Sequence, residues 1–351
     1  MAGGGANLPV PPTERRRGRF AVTESSTDIP APPGRRWAGA GLLLAAAVLW
    51  SLAGTAVKLA GAGGVEPLAF TGLRSAGAAV AMLPLLGAGA RLTGSARPRA
   101  GLMAPVAACY TLMVATFIVC SARATAGEAI LLQYSAPVFA AVLGRALFGT
   151  PVRPAQAAAL AASAAGIGVL LWDVWDGAAP GGWVVPALGV ASGLGYAGVI
   201  VGLDAVDADA RRRTGSPANV AAVVLWNNTL AAAVLLPWAG WRGELDLSAR
   251  TAAVLLLLGV WQMALPYVLF QLGVRRVGPV AAGLIVLVEP VLSPLWAFLK
   301  LGEVPPTGVY TGGALILAAV AAGVLTARPR RRVPAGDSPV IGGGPGGDAA
   351  A

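Results

Sequence analysis

Glu289 lies ten residues into the apolar stretch that opens at Pro279. That is roughly 15 Å along a helix rising 1.5 Å per residue, about the middle of a ~30 Å hydrocarbon core. Carboxylates at that depth are rare and face a cavity or a partner. Such a group could bind and release protons, or meet the amine of a substrate. The alternative is structural: it ties backbone freed by Pro290 and locks two helices. Arg74 lies about seven residues into another apolar stretch, where it could pair with Glu289 or with an anionic group of a substrate; otherwise it fixes helix packing or snorkels outward. Lys58 is near the end of its stretch, where snorkelling is expected. Arg123 and Glu128 bracket the start of a further stretch and are expected as an interfacial pair, with a gate as the alternative.

A softer layer is polar and aromatic: Trp50, Tyr110, Gln133, Tyr134, Tyr196, Asn227, Gln262 and Tyr267, with Trp226, Asn228 and Gln271 beside them. Few polar groups among apolar walls suit an amphipathic pocket. The alternatives are interhelical hydrogen bonds and aromatic belts at the membrane surface. Gln133 is one turn before Pro137, and Gln262 one turn before Pro266, so both could border broken-helix backbone. Enzymatic constellations are missing. The chain has no histidine, no zinc-type Cys/His spacing and no Gly-rich phosphate loop. Cys109 and Cys120 are eleven residues apart, too far along one helix for a disulfide. No catalytic residue, metal or cofactor is expected, and a membrane enzyme is disfavoured.

The elements that hold these residues follow from composition. Of 351 residues, 56% are apolar and only 12% charged, with mean hydropathy +0.70, against about half and a quarter in soluble domains. Ten apolar runs approach the ~20 residues a spanning helix needs: roughly 38–60, 67–89, 101–121, 127–149, 154–172, 183–203, 217–239, 251–273, 279–299 and 306–327. Polar, basic tails at 1–36 and 328–351 are expected to be disordered. With the N-terminus inside, 20 of the 26 basic residues fall on the inner side and four on the outer, Lys58 and Arg74 being within spans. That bias predicts cytoplasmic N- and C-termini. It also accounts for the net charge of +10 without nucleic acid; the lipid bilayer is the expected surrounding. Usage rich in Ala, Gly, Pro and Arg points to a high-GC bacterium, hence its plasma membrane.

The runs repeat at half-length. Pro137 aligns with Pro290 and Phe117 with Phe270 at an offset of 153, and Trp50 with Tyr196 at 146. Five helices per copy is an odd number, so the second copy inserts upside down. Inverted repeats with Pro-interrupted helices at matching places are a secondary-transporter architecture, with the site at mid-membrane between the halves. The predicted fold is all-α, ten spans as two inverted five-helix repeats, 37–173 and 183–327.

Several local patterns accompany this plan: Leu49-Trp50-Ser51 with Lys58, Arg74, Ser135-Ala136-Pro137-Val138, Glu289-Pro290-Val291 and Leu301-Gly302-Glu303. With them the chain resembles the drug/metabolite transporter superfamily, specifically proteins with two EamA-type domains. It departs from the pattern at Gly149-Thr150, where members often have Gly-Glu. The resemblance implies a secondary transporter, often an exporter of amino acids or related metabolites. A small-molecule substrate and alternating access are therefore expected, with protons as the coupling ion if Glu289 serves to bind and release them. The alternatives are a passive facilitator or a non-transporting membrane partner.

Overall fold

A chain this apolar must satisfy its backbone hydrogen bonds internally. The computed structural model does so with helices, and no strand occurs among the described residues, 33–87, 95–149, 151–175 and 182–326. The tails expected to be disordered lie outside these residues, except that 33–36 open the first helix. Ten helical segments are long and apolar enough to cross a membrane. Helices α1 (Pro33–Ser51) and α2 (Ala53–Ala62) make the first span, α3 (Pro67–Met82) the second and α4 (Ala100–Arg123) the third. The fourth is α5 (Ala126–Gln133) with α6 (Ala136–Phe148), the fifth α7 (Pro154–Trp175), the sixth α8 (Val184–Thr214) and the seventh α9 (Val220–Trp241). The eighth joins α10 (Ala249–Gly259) through a π-helical turn, Val260–Ala264, to α11 (Leu265–Val277). The ninth is α12 (Pro279–Val286) with α13 (Glu289–Leu301), and the tenth is α14 (Thr307–Thr326).

The duplication is carried into helix boundaries. Helices α3 and α9 start at 67 and 220, α7 and α14 at 154 and 307, and the breaks at 134–135 and 287–288 keep the same offset of 153. The left-handed glycines that end α6 and α13, Gly149 and Gly302, match too, at φ +63° and +66°. Each break falls two to three residues before its proline, Pro137 or Pro290, which becomes the second residue of the new helix. Proline is tolerated there because its missing N–H would have had no partner in a first turn. The first span keeps the other offset: Val185 O accepts from Cys120 Sγ at 3.4 Å, just as Gly39 packs on Gly273 in the eighth span. It also breaks, at Leu52, whereas the sixth runs unbroken.

The sixth span departs from expectation at its far end. The apolar run stops near residue 203, yet the helix continues to Thr214. Pairs one turn apart hold the extension, Arg211–Asp207 at 2.6 Å and Arg213–Asp209 at 2.7 Å, with Arg99 reaching Asp209 at 3.4 Å. Local charge spacing extends the helix where hydropathy ends.

The second span packs on the seventh and the fifth on the tenth, while the third with the sixth mirrors the eighth with the first. Between the second and eighth spans the backbones touch. A Cβ on Gly259 would stand 1.9 Å from Arg74 O, and one on Gly77 2.0 Å from Leu256 O. Neither helix can yield without moving the other. Gly259→Val is therefore expected to cost about 3 kcal/mol or more, the upper end for overpacking, seen as a lower melting temperature in detergent. Gly61→Ala, where a Cβ meets nothing within 4 Å, should leave that temperature unchanged.

Candidate functional site

Breaking a helix at mid-membrane leaves backbone groups that only protein or a cavity can accommodate. At the ninth-span break the first residue of the new helix is Glu289, so its carboxylate stands at a helix N-terminus whose free N–H groups favour negative charge. It is half-buried. No carboxylate–cation pair reaches it among the described residues. Tyr134, Tyr196 and Tyr267, from the fourth, sixth and eighth spans, lie within electrostatic reach of it. Trp50 closes the group from the first span, edge-on to Tyr267 at 5.2 Å and tilted to Phe270 at 5.7 Å. Five spans thus bring Glu289, Tyr134, Tyr196, Tyr267 and Trp50 into one aromatic cluster around a single carboxylate. The repeat partner of Glu289 is Ala136, so the charge belongs to one half only.

Arg74 sits apart from that carboxylate. Its Nη1 donates to Gln262 Oε1 at 3.0 Å, and its guanidinium lies 4.9 Å from the centre of the Phe70 ring. The π-helical turn explains why Gln262 reaches it. Pro266 offers no N–H, the turn closes instead from Leu265 N–H to Val260 O, and Gln262 is carried toward the second span; such turns recur at functional sites. Beside this pair, the Tyr110 hydroxyl contacts Asn228 Oδ1 at 3.1 Å and Met263 Sδ at 3.3 Å. Tyr110 and Met263 are themselves repeat partners, 153 apart, so the axis relating the halves runs between them. Asn227, the repeat partner of Arg74, is buried with Oδ1 unpartnered. Gln133 falls outside both clusters: its Nε2 donates to Ser192 Oγ at 2.8 Å, fastening the fourth span to the sixth.

At the end of the bundle near Lys58 the structure departs from the expected roles. Lys58 does not snorkel; it is ion-paired with Glu303, whose other oxygen accepts from Ala126 N–H at 2.5 Å. Glu128 does not pair with Arg123; it forms a capping box with Thr125, accepting from Thr125 N–H at 2.8 Å. Trp296 Nε1 donates to Ser51 Oγ at 2.9 Å, tying the ninth span to the first-span break. The sequence pattern that contains Glu303 carries no sign of its partner, and the one sequence signal at Trp296 is an indole N–H within an apolar span.

This end is closed by half-helices. Helix α5 packs on α13, where a Cβ on Gly127 would meet Pro294 Cβ at 3.4 Å. The mirror-related pair, α6 with α12, makes no comparable contact, and Ala136 is the buried residue of α6. The halves are alike in sequence and fold but unlike in how these helices meet.

A bundle of ten spanning helices in two inverted repeats, broken at matching places around one carboxylate, defines a multi-pass membrane protein of transporter architecture. The chain belongs to the EamA-like transporter family, whose profile matches residues 37–172 and 192–324. It is 29% identical over 285 residues to a protein of Streptantibioticus cattleyicolor named a probable terminal-alkyne amino-acid exporter, covering 79% of this chain and 90% of that one. It is 30% identical over 209 residues to an uncharacterized transporter of Archaeoglobus fulgidus, covering 60% and 71%. One crystal structure superposes with TM-score 0.51 at 20% identity, over 82% of this chain and 97% of the other, a likeness of fold.

Proposed function

We propose that the protein is a secondary transporter that exports an amino acid or closely related small metabolite across a bacterial plasma membrane, by alternating access and in exchange for protons. The observation that carries this reading is Glu289, a half-buried carboxylate at a mid-span helix break without a cationic partner among the described residues. Such a group can hold a proton or a substrate amine, and the two exclude each other. Exclusive occupancy of one carboxylate couples opposite flows. The basic bias supports cytoplasmic termini, which puts the Lys58–Glu303 end outside and makes the described arrangement closed outward. Exchanging the α5–α13 contact for its mirror image, α6–α12, would supply the other state. The relative named an amino-acid exporter supports the substrate class.

The test is flux in proteoliposomes preloaded with labelled amino acids. Efflux is expected to rise when protons are more concentrated outside, and protons should move inward with substrate exit. Efflux indifferent to the pH gradient would leave the alternative of a passive facilitator. Absence of flux for every compound would favour a non-transporting membrane partner.

A further inference from the structure

Arg74 is 1% exposed within an apolar span, and its surroundings do not balance its charge. Gln262 and Phe70 are neutral partners, and Nε is buried with no acceptor at all. No carboxylate pairs with it among the described residues. Burying a cation without a counter-ion is costly, and fastening the second span to the eighth does not require one, because the glycine contacts at Gly77 and Gly259 already do so. Glu289 is the complementary case, a carboxyl group without a cationic partner among the described residues. The two are not joined, yet Tyr267 lies within electrostatic reach of both. Both groups lie within the spans without a charged partner among the described residues, and a molecule carrying the reverse pair of charges would supply one to each.

We infer that Arg74 is the receptor for a carboxylate of the transported molecule, with Glu289 receiving its ammonium group, so that the site selects zwitterions. This rests on the transporter reading above. A zwitterion neutralises both ends at once, whereas a simple amine leaves Arg74 uncompensated and a simple acid leaves Glu289 so. Arg74 is covered in the described state. The carboxylate therefore docks where the spans part, and Nε of Arg74 gains the acceptor it lacks.

The experiment uses full-length protein in proteoliposomes and three probes: L-propargylglycine, its carboxamide, and but-3-yn-1-amine, which lacks the carboxyl group. Wild type is expected to carry propargylglycine about 30-fold faster than either analogue, the worth of one buried charge-assisted hydrogen bond. Arg74→Gln should bring that ratio to within about threefold, and Arg74→Lys should keep part of the preference. Equal wild-type transport of the amine or amide would overturn the inference while leaving the transporter reading intact. So would a folded Arg74→Gln protein that still prefers the carboxylate. If Arg74→Gln does not fold, the wild-type ratio alone decides. If neither these probes nor any of the twenty common amino acids moves, the transporter reading fails and the carboxylate receptor falls with it.

Discussion

Glu289→Gln is expected to abolish transport driven by a pH gradient, by about 100-fold or more, while leaving the protein folded. The amide keeps the size of the side chain and removes the one charge that a proton or an ammonium group can titrate or meet. Losing an ion-paired contact in a buried site costs about 3 kcal/mol, which is roughly two decades in affinity. The sign of the stability change separates function from architecture. If Glu289 only tied loose backbone at the break, the variant would melt at a lower temperature. If the carboxylate is kept for substrate and proton, removing an unpaired buried charge leaves the melting temperature level or raises it. Proton uptake coupled to substrate exit should vanish, and Glu289→Asp should restore part of it. A variant with unchanged flux and unchanged response to pH would remove Glu289 from the coupling step.

The parts of this architecture that were legible in the sequence are those written in local pattern. Hydropathy marks each span because bilayer thickness sets a length, and a fixed offset marks the repeat because helix starts, breaks and glycine caps recur with it. Glu289 and Arg74 could be picked out because few charges lie that deep. Contacts between distant residues left no such trace. Lys58 and Glu303 are 245 positions apart, and each alone looks like an interfacial charge. The same separation hides Ser51 and Trp296. Arg74 was readable as a buried cation, but its partner depended on the π-helical turn that swings Gln262 round, and one proline does not announce a turn of that kind. Nor does sequence symmetry say which mirror-related contact is made. Near-equal repeats permit α5 on α13 or α6 on α12, and under the proposed alternating access the choice is a state of the protein, set by small differences between the halves.

One such difference is the Lys58 ion pair, and reversing one of its charges should open the end it holds shut. Glu303 joins three spans there, through Lys58 on the first, Ala126 N–H on the fourth and its own position after the ninth. Its repeat partner is Thr150, so the opposite end has no equivalent carboxylate. Lys58→Glu places two anions together where the native side chains are 17% and 14% exposed. Juxtaposed like charges cost several kcal/mol, and about 2 kcal/mol already shifts a two-state balance roughly 30-fold. Ser293, 2% exposed beside Gly54 under this closure, can report the shift. With Cys109 and Cys120 replaced by Ala, Ser293→Cys should resist a membrane-impermeant thiol reagent added from the Lys58 side, and Lys58→Glu should make it label rapidly. The exchange Lys58→Glu with Glu303→Lys rebuilds the pair and should protect it again. Protection that returns with the swap locates the effect in the attraction itself; labelling unchanged in all three proteins would mean that apolar packing of α5 on α13 closes this end without it.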